Sequence, residues 1–214
     1  MTEQRYPPEP WTLCGDAFVS VWRLPEQELP ALPDSMNGIV PISMGGYGFV
    51  VTAWVDYQEP GMLSYRELMA TVAVRDGTKP AASITHIWVD SETSLAGGRE
   101  LWHIPKDMAK FEWRSSRAIT ATAHGDHGPI AGAAFVPMAT VPIAVPSAFA
   151  VIQRGPLRSP VRVAGKPMLV RTSWWVDADG PLGFLHGHKP LASMGLTGFD
   201  MRFGTHLRYA ARRR

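Results

Sequence analysis

Lys106 is the residue of this sequence whose surroundings best suit covalent chemistry. It directly follows Ile104-Pro105, and the apolar Met108 lies two residues further on. Proline fixes the backbone in front of the lysine and apolar neighbours keep water away from it, which a nucleophilic amine needs and a surface lysine does not. A neutral amine in such a place can attack a carbonyl carbon and form a Schiff base. At the reference pKa of about 10.4, roughly one lysine in 2,500 is neutral at pH 7, so burial or a neighbouring cation must lower the pKa by several units.

A carboxylate that could move protons for this amine lies in the segment YRELMATVAVR, residues 65–75. Strand alternation divides the segment into two faces, one with Tyr65, Glu67, Met69, Thr71 and Ala73, the other with Arg66, Leu68, Ala70, Val72 and Val74. Glu67 then shares its face with small and apolar groups. Two interpretations stay open for it: a general acid–base, or a buried carboxylate paired with Arg66, Arg75 or Arg99.

Other site chemistries find little support. The histidine pairs His124/His127 and His186/His188 have no third histidine or carboxylate at a recognised ligand spacing, so we interpret them as turn or surface residues and expect no metal. Cys14 is the only cysteine, which excludes an intrachain disulfide and fits a reducing compartment. The sequence contains no G-x-S-x-G, P-loop or G-x-G-x-x-G motif.

The composition bounds the fold and the partners. With 214 residues, 45% of them hydrophobic and 19% charged, the chain is predicted to be globular, and we expect one domain over residues 1–214. The net charge is only +2, and we interpret the basic C-terminal segment RYAARRR as a solvated end, so nucleic acid is not an expected partner. The longest apolar tract, residues 128–152, is interrupted by four prolines and does not predict a membrane helix. Because the N-terminus lacks an apolar signal segment, we expect a cytoplasmic protein.

Short segments rich in valine, isoleucine, threonine, tryptophan and phenylalanine, separated by many of the 19 prolines and 20 glycines, predict β structure. Candidate strands cover residues 17–23, 47–57, 65–75, 81–90, 111–124, 129–136, 149–154 and 168–177. One helix is predicted to begin near residues 91–94 and to end before Pro105, with a further turn at DMAKF and a hairpin turn at AHGDHGP. The predicted fold is therefore mainly β, of the α+β class: an antiparallel β-barrel or cone-like sheet with a short inserted helix. Such barrels commonly hold a ligand inside.

Lys106 lies at the exit of the predicted helix. Its local sequence alone favours a structural ion pair with Asp107 or Glu100 over a place in a pocket. Arg99 and Glu100 are expected to tie the helix to the sheet.

The segment ITHIWVDSETSLAGGRELWHIPKDMAKFEW, residues 84–113, resembles the central signature of the acetoacetate decarboxylase superfamily. In that signature a strand ends in an acidic turn, a short helix finishes in Gly-Arg-Glu-Leu, and two residues precede an aromatic or aliphatic residue, Pro and Lys. The resemblance implies that Lys106 forms the Schiff base, and that Glu67 of Tyr-x-Glu is the family's upstream glutamate. It extends from residue 65 to residue 113 and is looser at AFVSVWRLP and GHKPLASMGL. On this basis we place Lys106 in a pocket.

The departures from the family pattern bear on the reaction. In acetoacetate decarboxylases proper, which are the standard example of an amine activated by a neighbouring cation, a second lysine follows the nucleophile. Here Asp107 takes that place, so we expect its side chain to point away from the Lys106 amine. The family's arginine before the first strand falls at Gly15, and its second glutamate near Thr52. These differences favour a non-decarboxylating or altered-substrate member.

The resulting hypothesis is a cofactor-independent lyase that binds a small keto-acid-like or other keto-containing substrate and acts as a homo-oligomer. Lys106 and Glu67 would be its catalytic residues, and Tyr65, Trp102 and Trp88 would contact the substrate, although each tryptophan is also a good core residue, as is Trp113. An iminium on Lys106 can lead to decarboxylation, aldol, dehydration or cyclisation steps. The alternative is a non-catalytic ligand-binding barrel of the same fold with a tryptophan-lined apolar pocket.

Overall fold

The computed structural model describes residues 5–33, 36, 38–154 and 157–205, so the basic C-terminal segment, residues 208–214, lies outside the described residues. The described chain forms thirteen strands and one α-helix. In chain order these are β1 (Trp11–Pro25), β2 (Ile39–Pro41), β3 (Ser43–Met44), β4 (Tyr47–Gln58), β5 (Tyr65–Asp76), β6 (Lys79–Val89), α1 (Glu92–Trp102), β7 (Lys106–Met108), β8 (Lys110–Ser115), β9 (Ile119–Gly125), β10 (Gly128–Thr140), β11 (Val145–Gln153), β12 (Leu157–Val176) and β13 (Ala192–Phe203).

One mostly antiparallel sheet contains all of these strands and curls back on itself. Its order is β11-β6-β5-β4-β1-β13-β12-β10-β9-β8, and β11 also pairs with β12. The strands from β6 round to β12 are therefore closed into a ring by β11, whose contact with β6 is a single parallel bridge between Val151 and Ala82. This cone-like sheet with one helix is the predicted fold, and its closure creates an interior that side chains do not fill.

Strand β5 is buried on both faces, which is why its sequence reads as almost continuously apolar. One face, with Leu68, Ala70, Val72 and Val74, packs in a core built around Trp22, Trp54 and Phe135. Strands β8 to β10 continue the sheet beyond β12, and residues of β9 and β10 help to form this core. The opposite face of β5 points into the ring. The alternation predicted for residues 65–75 is confirmed.

Several predicted elements differ from the structure. The single strand predicted over residues 111–124 is two strands, β8 and β9, joined by a turn, because Ser115 pairs with Ile119 across it. The turn predicted at DMAKF is wrong, since β7 and β8 are extended there. Strand β13 was not predicted, because glycines 195 and 198 obscure its pattern. The helix and the hairpin turn between β9 and β10 are confirmed. Within the described residues, no helix is both long and apolar enough to cross a membrane.

Candidate active site

The end of helix α1 fixes the position of Lys106. Ser91 caps the start of the helix by accepting a hydrogen bond from the Ser94 backbone, and His103 ends it in the left-handed conformation at φ 54°. The Ile104 N–H then returns to the Gly98 carbonyl at 3.0 Å. Pro105 turns the chain into β7, so Lys106 leaves the helix with a defined direction.

The sheet brings Glu67 to the lysine. Strand β7 runs parallel to β6, with Lys106 beside Ile87, and β6 runs antiparallel to β5, with Ile87 beside Met69 and Val89 beside Glu67. Lys106 and Glu67 thus lie on two strands separated only by β6. Lys106 is level with Met69, which is two residues from Glu67 along β5, so the two side chains lie on the same face of the sheet. The two residues are 39 positions apart in sequence, and one hairpin and one helix span this separation.

The two side chains form a buried ion pair. Lys106 Nζ lies 2.9 Å from Oε2 of Glu67 and donates a second hydrogen bond, of 2.8 Å, to Oγ of Ser94. Lys106 is 4% exposed and Glu67 is 3% exposed. The hydroxyls of Tyr57 and Tyr65 donate to the two carboxylate oxygens of Glu67, at 3.2 Å and 3.4 Å. The carboxylate therefore has partners on both oxygens.

The two tyrosines are held in their neutral, donating form. Burial, followed by the negative charge of Glu67, raises the pKa of Tyr57 and that of Tyr65 well above the usual tyrosine value. Their rings are 4.4 Å apart. They supply hydrogen bonds to Glu67 at neutral pH without adding charge to the site.

Asp107 lies outside this cluster, as the alternation of β7 predicts. Its carboxylate contacts the guanidinium of Arg99 at 2.6 Å and its side chain is 67% exposed. The Nε of Arg99 also donates to the Lys106 carbonyl at 2.7 Å, so Arg99 ties the helix to β7. The alternative pairings considered for Lys106 are wrong: Asp107 pairs with Arg99, and Glu100 accepts from the hydroxyl of Tyr6.

None of the three arginines considered as partners of Glu67 contacts it. Arg66 projects from the other face of β5 and pairs with Asp56 at 3.4 Å. Arg75 is exposed and donates to the Gly77 carbonyl. The partner of Glu67 is Lys106 itself. The prediction that Glu67 pairs with one of these arginines is therefore wrong.

The lysine and the glutamate lie at the buried end of a cavity of about 510 Å³ inside the ring, a size typical of ligand-binding sites. Of the residues predicted to contact a substrate, Tyr65 and Trp102 line this cavity. Trp88 does not. It lies on the opposite face of β6, in the core with Trp54, so its assignment as a pocket residue is corrected. Trp113 also packs against that core.

Sequence reasoning missed Ser94, Tyr57 and Gly98 as parts of the site. A Cβ atom at Gly98 would lie 2.7 Å from Cδ of Lys106, so the lysine stem passes over a helix position that has no side chain. The pair Gly97-Gly98 inside a helix was the available signal, since glycine in a helix interior usually has a packing reason. Tyr57 follows Val51 and Ala53 at even spacing along the cavity face of β4.

Gly15 and Thr52, where the resemblance places the family's arginine and second glutamate, have different surroundings. Gly15 is at φ 153° next to a bulge in β1, and a Cβ there would collide with the Asp56 carbonyl oxygen, so no arginine fits without moving β4. Thr52 faces the tryptophan core and accepts a hydrogen bond from Trp22 Nε1 at 2.9 Å. Lys106 and Glu67 are the charged residues of the cavity lining within the described chain. No cluster of three or more potential metal ligands is found in that same part of the chain.

Fold and site together define an α+β protein in which a curled sheet encloses an apolar cavity with a buried lysine–glutamate pair at its inner end. The model of the acetoacetate decarboxylase family matches residues 7–153, which is more than half of the 214-residue chain, and the chain belongs to this family. The matched range includes Glu67 and Lys106.

Individual relatives agree with this assignment. The acetoacetate decarboxylase of Ralstonia nicotianae is 28% identical over 132 residues, which cover 61% of this chain and 51% of the relative, so the match spans about half of that protein. The acetoacetate decarboxylase structure from Legionella pneumophila superposes with a TM-score of 0.72 at 16% identity, covering 94% of this chain and 88% of the other. The enduracididine biosynthesis enzyme MppR in complex with pyruvate gives 0.61 at 16% identity, with 92% and 89% coverage. At these identities the structural likenesses establish the fold alone.

Proposed function

We propose that this protein is a Schiff-base-forming enzyme of the lyase type, in which the Lys106 amine condenses with the keto group of a small or medium-sized substrate. The observation that carries the proposal is the 2.9 Å contact between Lys106 Nζ and Glu67 Oε2 at the buried end of a ligand-sized cavity. A purely structural ion pair needs no cavity in front of it. Proton carriers of this kind, by contrast, must lie within hydrogen-bond reach of the amine.

Glu67 provides the route by which the amine loses its proton. The proton moves from Nζ to Oε2 along the existing hydrogen bond, which leaves a neutral amine beside a neutral carboxylic acid and does not change the net charge of the site. Loss of water from the cavity disfavours both charged forms, so a ligand that fills the cavity shifts the pair towards this neutral state. No second lysine is required for this activation.

The same proton then serves the condensation. The neutral amine adds to the carbonyl carbon, and a proton shift from nitrogen to oxygen gives a carbinolamine. The acid form of Glu67 protonates the hydroxyl group, water leaves, and an iminium on Lys106 remains beside the regenerated Glu67 carboxylate. The site begins and ends the sequence with one positive and one negative charge.

The iminium is an electron sink, and Glu67 can remove a proton from the neighbouring carbon to give an enamine. That enamine supports aldol, dehydration or cyclisation steps, whereas decarboxylation needs a substrate carboxylate next to the reacting carbon. We favour the proton-transfer reactions because neither a second lysine at residue 107 nor an arginine at residue 15 is present. One MppR structure, which shares the fold, is described as a complex with a condensation product of pyruvate and an aldehyde, which is consistent with this choice.

Borohydride trapping tests the proposal. The protein is incubated with pyruvate, acetoacetate or a neutral methyl ketone, reduced with borohydride and weighed by intact mass spectrometry. We expect a mass increase of one reduced imine that maps to Lys106 and disappears in Lys106→Ala. Lys110→Ala is the matched control, because Lys110 is an exposed lysine four residues away that does not line the cavity, and it should retain the adduct. Absence of an adduct with every carbonyl compound would contradict the proposal.

The second candidate is a non-catalytic ligand-binding protein of the same fold. The extent of the apolar lining favours it, since most of the cavity wall has no group that could take part in a reaction. Saturable binding of a carbonyl compound that never yields a trapped adduct would support this candidate.

A further inference from the structure

We infer that the ligand of this site is an elongated, apolar carbonyl compound that has no carboxylate next to its carbonyl group. This inference rests on the proposed role of Lys106 and specifies the substrate class of the same site. It depends on two features of the cavity, its charge balance and its shape.

The charge balance of the buried end is complete before a substrate arrives. Lys106 and Glu67 carry one charge of each sign, and the tyrosines that contact Glu67 are neutral. After condensation with a neutral ketone the iminium and the Glu67 carboxylate again balance. An α-oxo acid would add one uncompensated negative charge to a site where both charged residues are less than 5% exposed, and burying such a charge is costly.

No further cation reaches the lining of the described chain to compensate a carboxylate. Arg66 pairs with Asp56 on the opposite face of β5, Arg75 is exposed at the end of the strand, and Arg99 contacts the Lys106 carbonyl and Asp107 outside the cavity. The resemblance places the family's arginine at Gly15, whose Cβ would collide with the Asp56 carbonyl. The hydroxyls of Tyr57 and Tyr65 near the amine already donate to Glu67 and carry no positive charge that could compensate a substrate carboxylate.

The shape of the cavity indicates a long ligand. Its wall includes five alternate residues of β5, from Tyr65 at the buried end to Ala73, which at about 3.3 Å per residue are roughly 26 Å apart. Beyond Glu67 this wall consists of Met69, Thr71 and Ala73. The Thr71 hydroxyl already donates a hydrogen bond to the Val51 carbonyl. At the far end the lining includes the exposed Pro80 and Phe149, which mark the entrance.

Charge and shape act together. An apolar chain that fills the cavity from its entrance to Glu67 expels water from the Lys106–Glu67 pair and so favours the neutral amine that attacks the carbonyl. A short keto acid leaves most of the apolar wall wet and brings a charge instead. The carbonyl group therefore belongs near one end of the ligand, with the hydrocarbon chain extending towards Pro80.

Competition between matched compounds tests the inference. Borohydride trapping on Lys106 is measured with methyl nonyl ketone, with the α-oxo acid of the same carbon number, and with pyruvate, at equal concentrations. We expect the adduct of the long neutral ketone to form at least tenfold faster than either acid adduct. Equal or faster trapping of an acid would overturn the inference while leaving the Schiff-base function intact.

Two further measurements separate the inference from the proposed function. Binding of methyl nonyl carbinol, which cannot form an imine, is followed by calorimetry. If the carbinol binds but no ketone is trapped, the covalent function fails and the ligand class stands, whereas no binding of the carbinol overturns the ligand class. In Thr71→Phe, which narrows the cavity about 13 Å along β5 from Glu67, trapping of methyl nonyl ketone should fall at least fivefold more than trapping of methyl ethyl ketone. Lys110→Ala, at an exposed residue outside the cavity lining, is the control and should change neither. Equal effects of Thr71→Phe on both ketones would also contradict the inference.

Discussion

Gly98 of helix α1 lies directly against the aliphatic stem of Lys106: a Cβ atom at this position would be 2.7 Å from Cδ and 2.8 Å from Cε of the lysine. Real Cβ atoms essentially never approach other atoms so closely. The helix thus leaves one side-chain position empty to let a buried lysine pass and reach Glu67 and Ser94. A side chain at residue 98 would therefore displace the Lys106 amine without disrupting the helix itself.

In Gly98→Ala, we expect the rate of borohydride trapping on Lys106 to fall at least tenfold, because the lysine stem must move away from its hydrogen-bond partners. Alanine favours the helix over glycine by about 1 kcal/mol, so the melting temperature should fall by much less than a clash in an ordinary core site would cause. Mass spectrometry and thermal denaturation measure the two effects. Wild-type trapping by a folded Gly98→Ala variant would show that the geometry of the stem is not limiting.

Replacing the Glu67 carboxylate with an amide should slow adduct formation and turnover by roughly a hundredfold, because the amide cannot take the proton from Lys106. The adduct should remain detectable after long incubation, since the lysine itself is present. Glu112→Gln, which changes an exposed carboxylate of β8, is the control and should trap at the wild-type rate. If Glu67→Gln unfolds the protein and has no separate effect on the folded fraction, the glutamate is a structural partner and not the proton carrier.

Removing the Asp107 carboxylate should leave trapping within about twofold of wild type. The carboxylate is exposed and paired with Arg99 on the side of β7 away from the amine, so its charge is screened by solvent. Single-turnover trapping of Asp107→Asn provides the measurement. A tenfold or larger change would mean that the residue beside the lysine controls its reactivity, in contrast to the geometry described above.

The buried tyrosines predict a loss of stability at alkaline pH. Burial and the Glu67 charge raise the folded-state pKa of Tyr57 and of Tyr65, while in the unfolded chain both titrate near the reference value of about 10. The stability they contribute is therefore fully present below about pH 10 and falls as the pH rises towards their folded-state pKa values. Denaturant titrations over this range, compared with Tyr57→Phe, should show a smaller alkaline loss in the variant. Equal pH dependence in both proteins would exclude the contribution of Tyr57.

The segment from residue 138 to residue 149 predicts self-association. It exposes Met138, Val141, Ile143, Val145 and Phe149, and exposed apolar surface of this extent is typical of interaction sites. We expect size-exclusion chromatography with light scattering to give a homo-oligomer, and Ile143→Lys to weaken it. A monomer at micromolar concentration would contradict this prediction.

The cytoplasmic location stays a prediction.

The sequence alone identified the candidate site residues and the strand faces on which they lie. Lys106 after Ile-Pro was identified from its neighbours and the family signature, and the period of two in residues 65–75 placed Glu67 with Tyr65 and opposite Arg66, because side chains of a strand must alternate. The capping residues and Pro105 likewise located helix α1, since both act through local backbone geometry.

Only the tertiary structure decided what each face meets. Strand alternation predicts that Trp88 and Val89 point to opposite sides of β6. Pairing with β5 and closure of the ring decide that Val89 packs on the inner side of the ring and Trp88 in the core with Trp54. The same holds for Glu67. The sequence allowed an arginine as its partner, but the pairing of β5 with β6 and of β6 with β7 places Lys106 beside it instead. Contacts between residues 39 positions apart depend on strand register and sheet closure, which are set by the packing of the whole sheet and not by any local pattern.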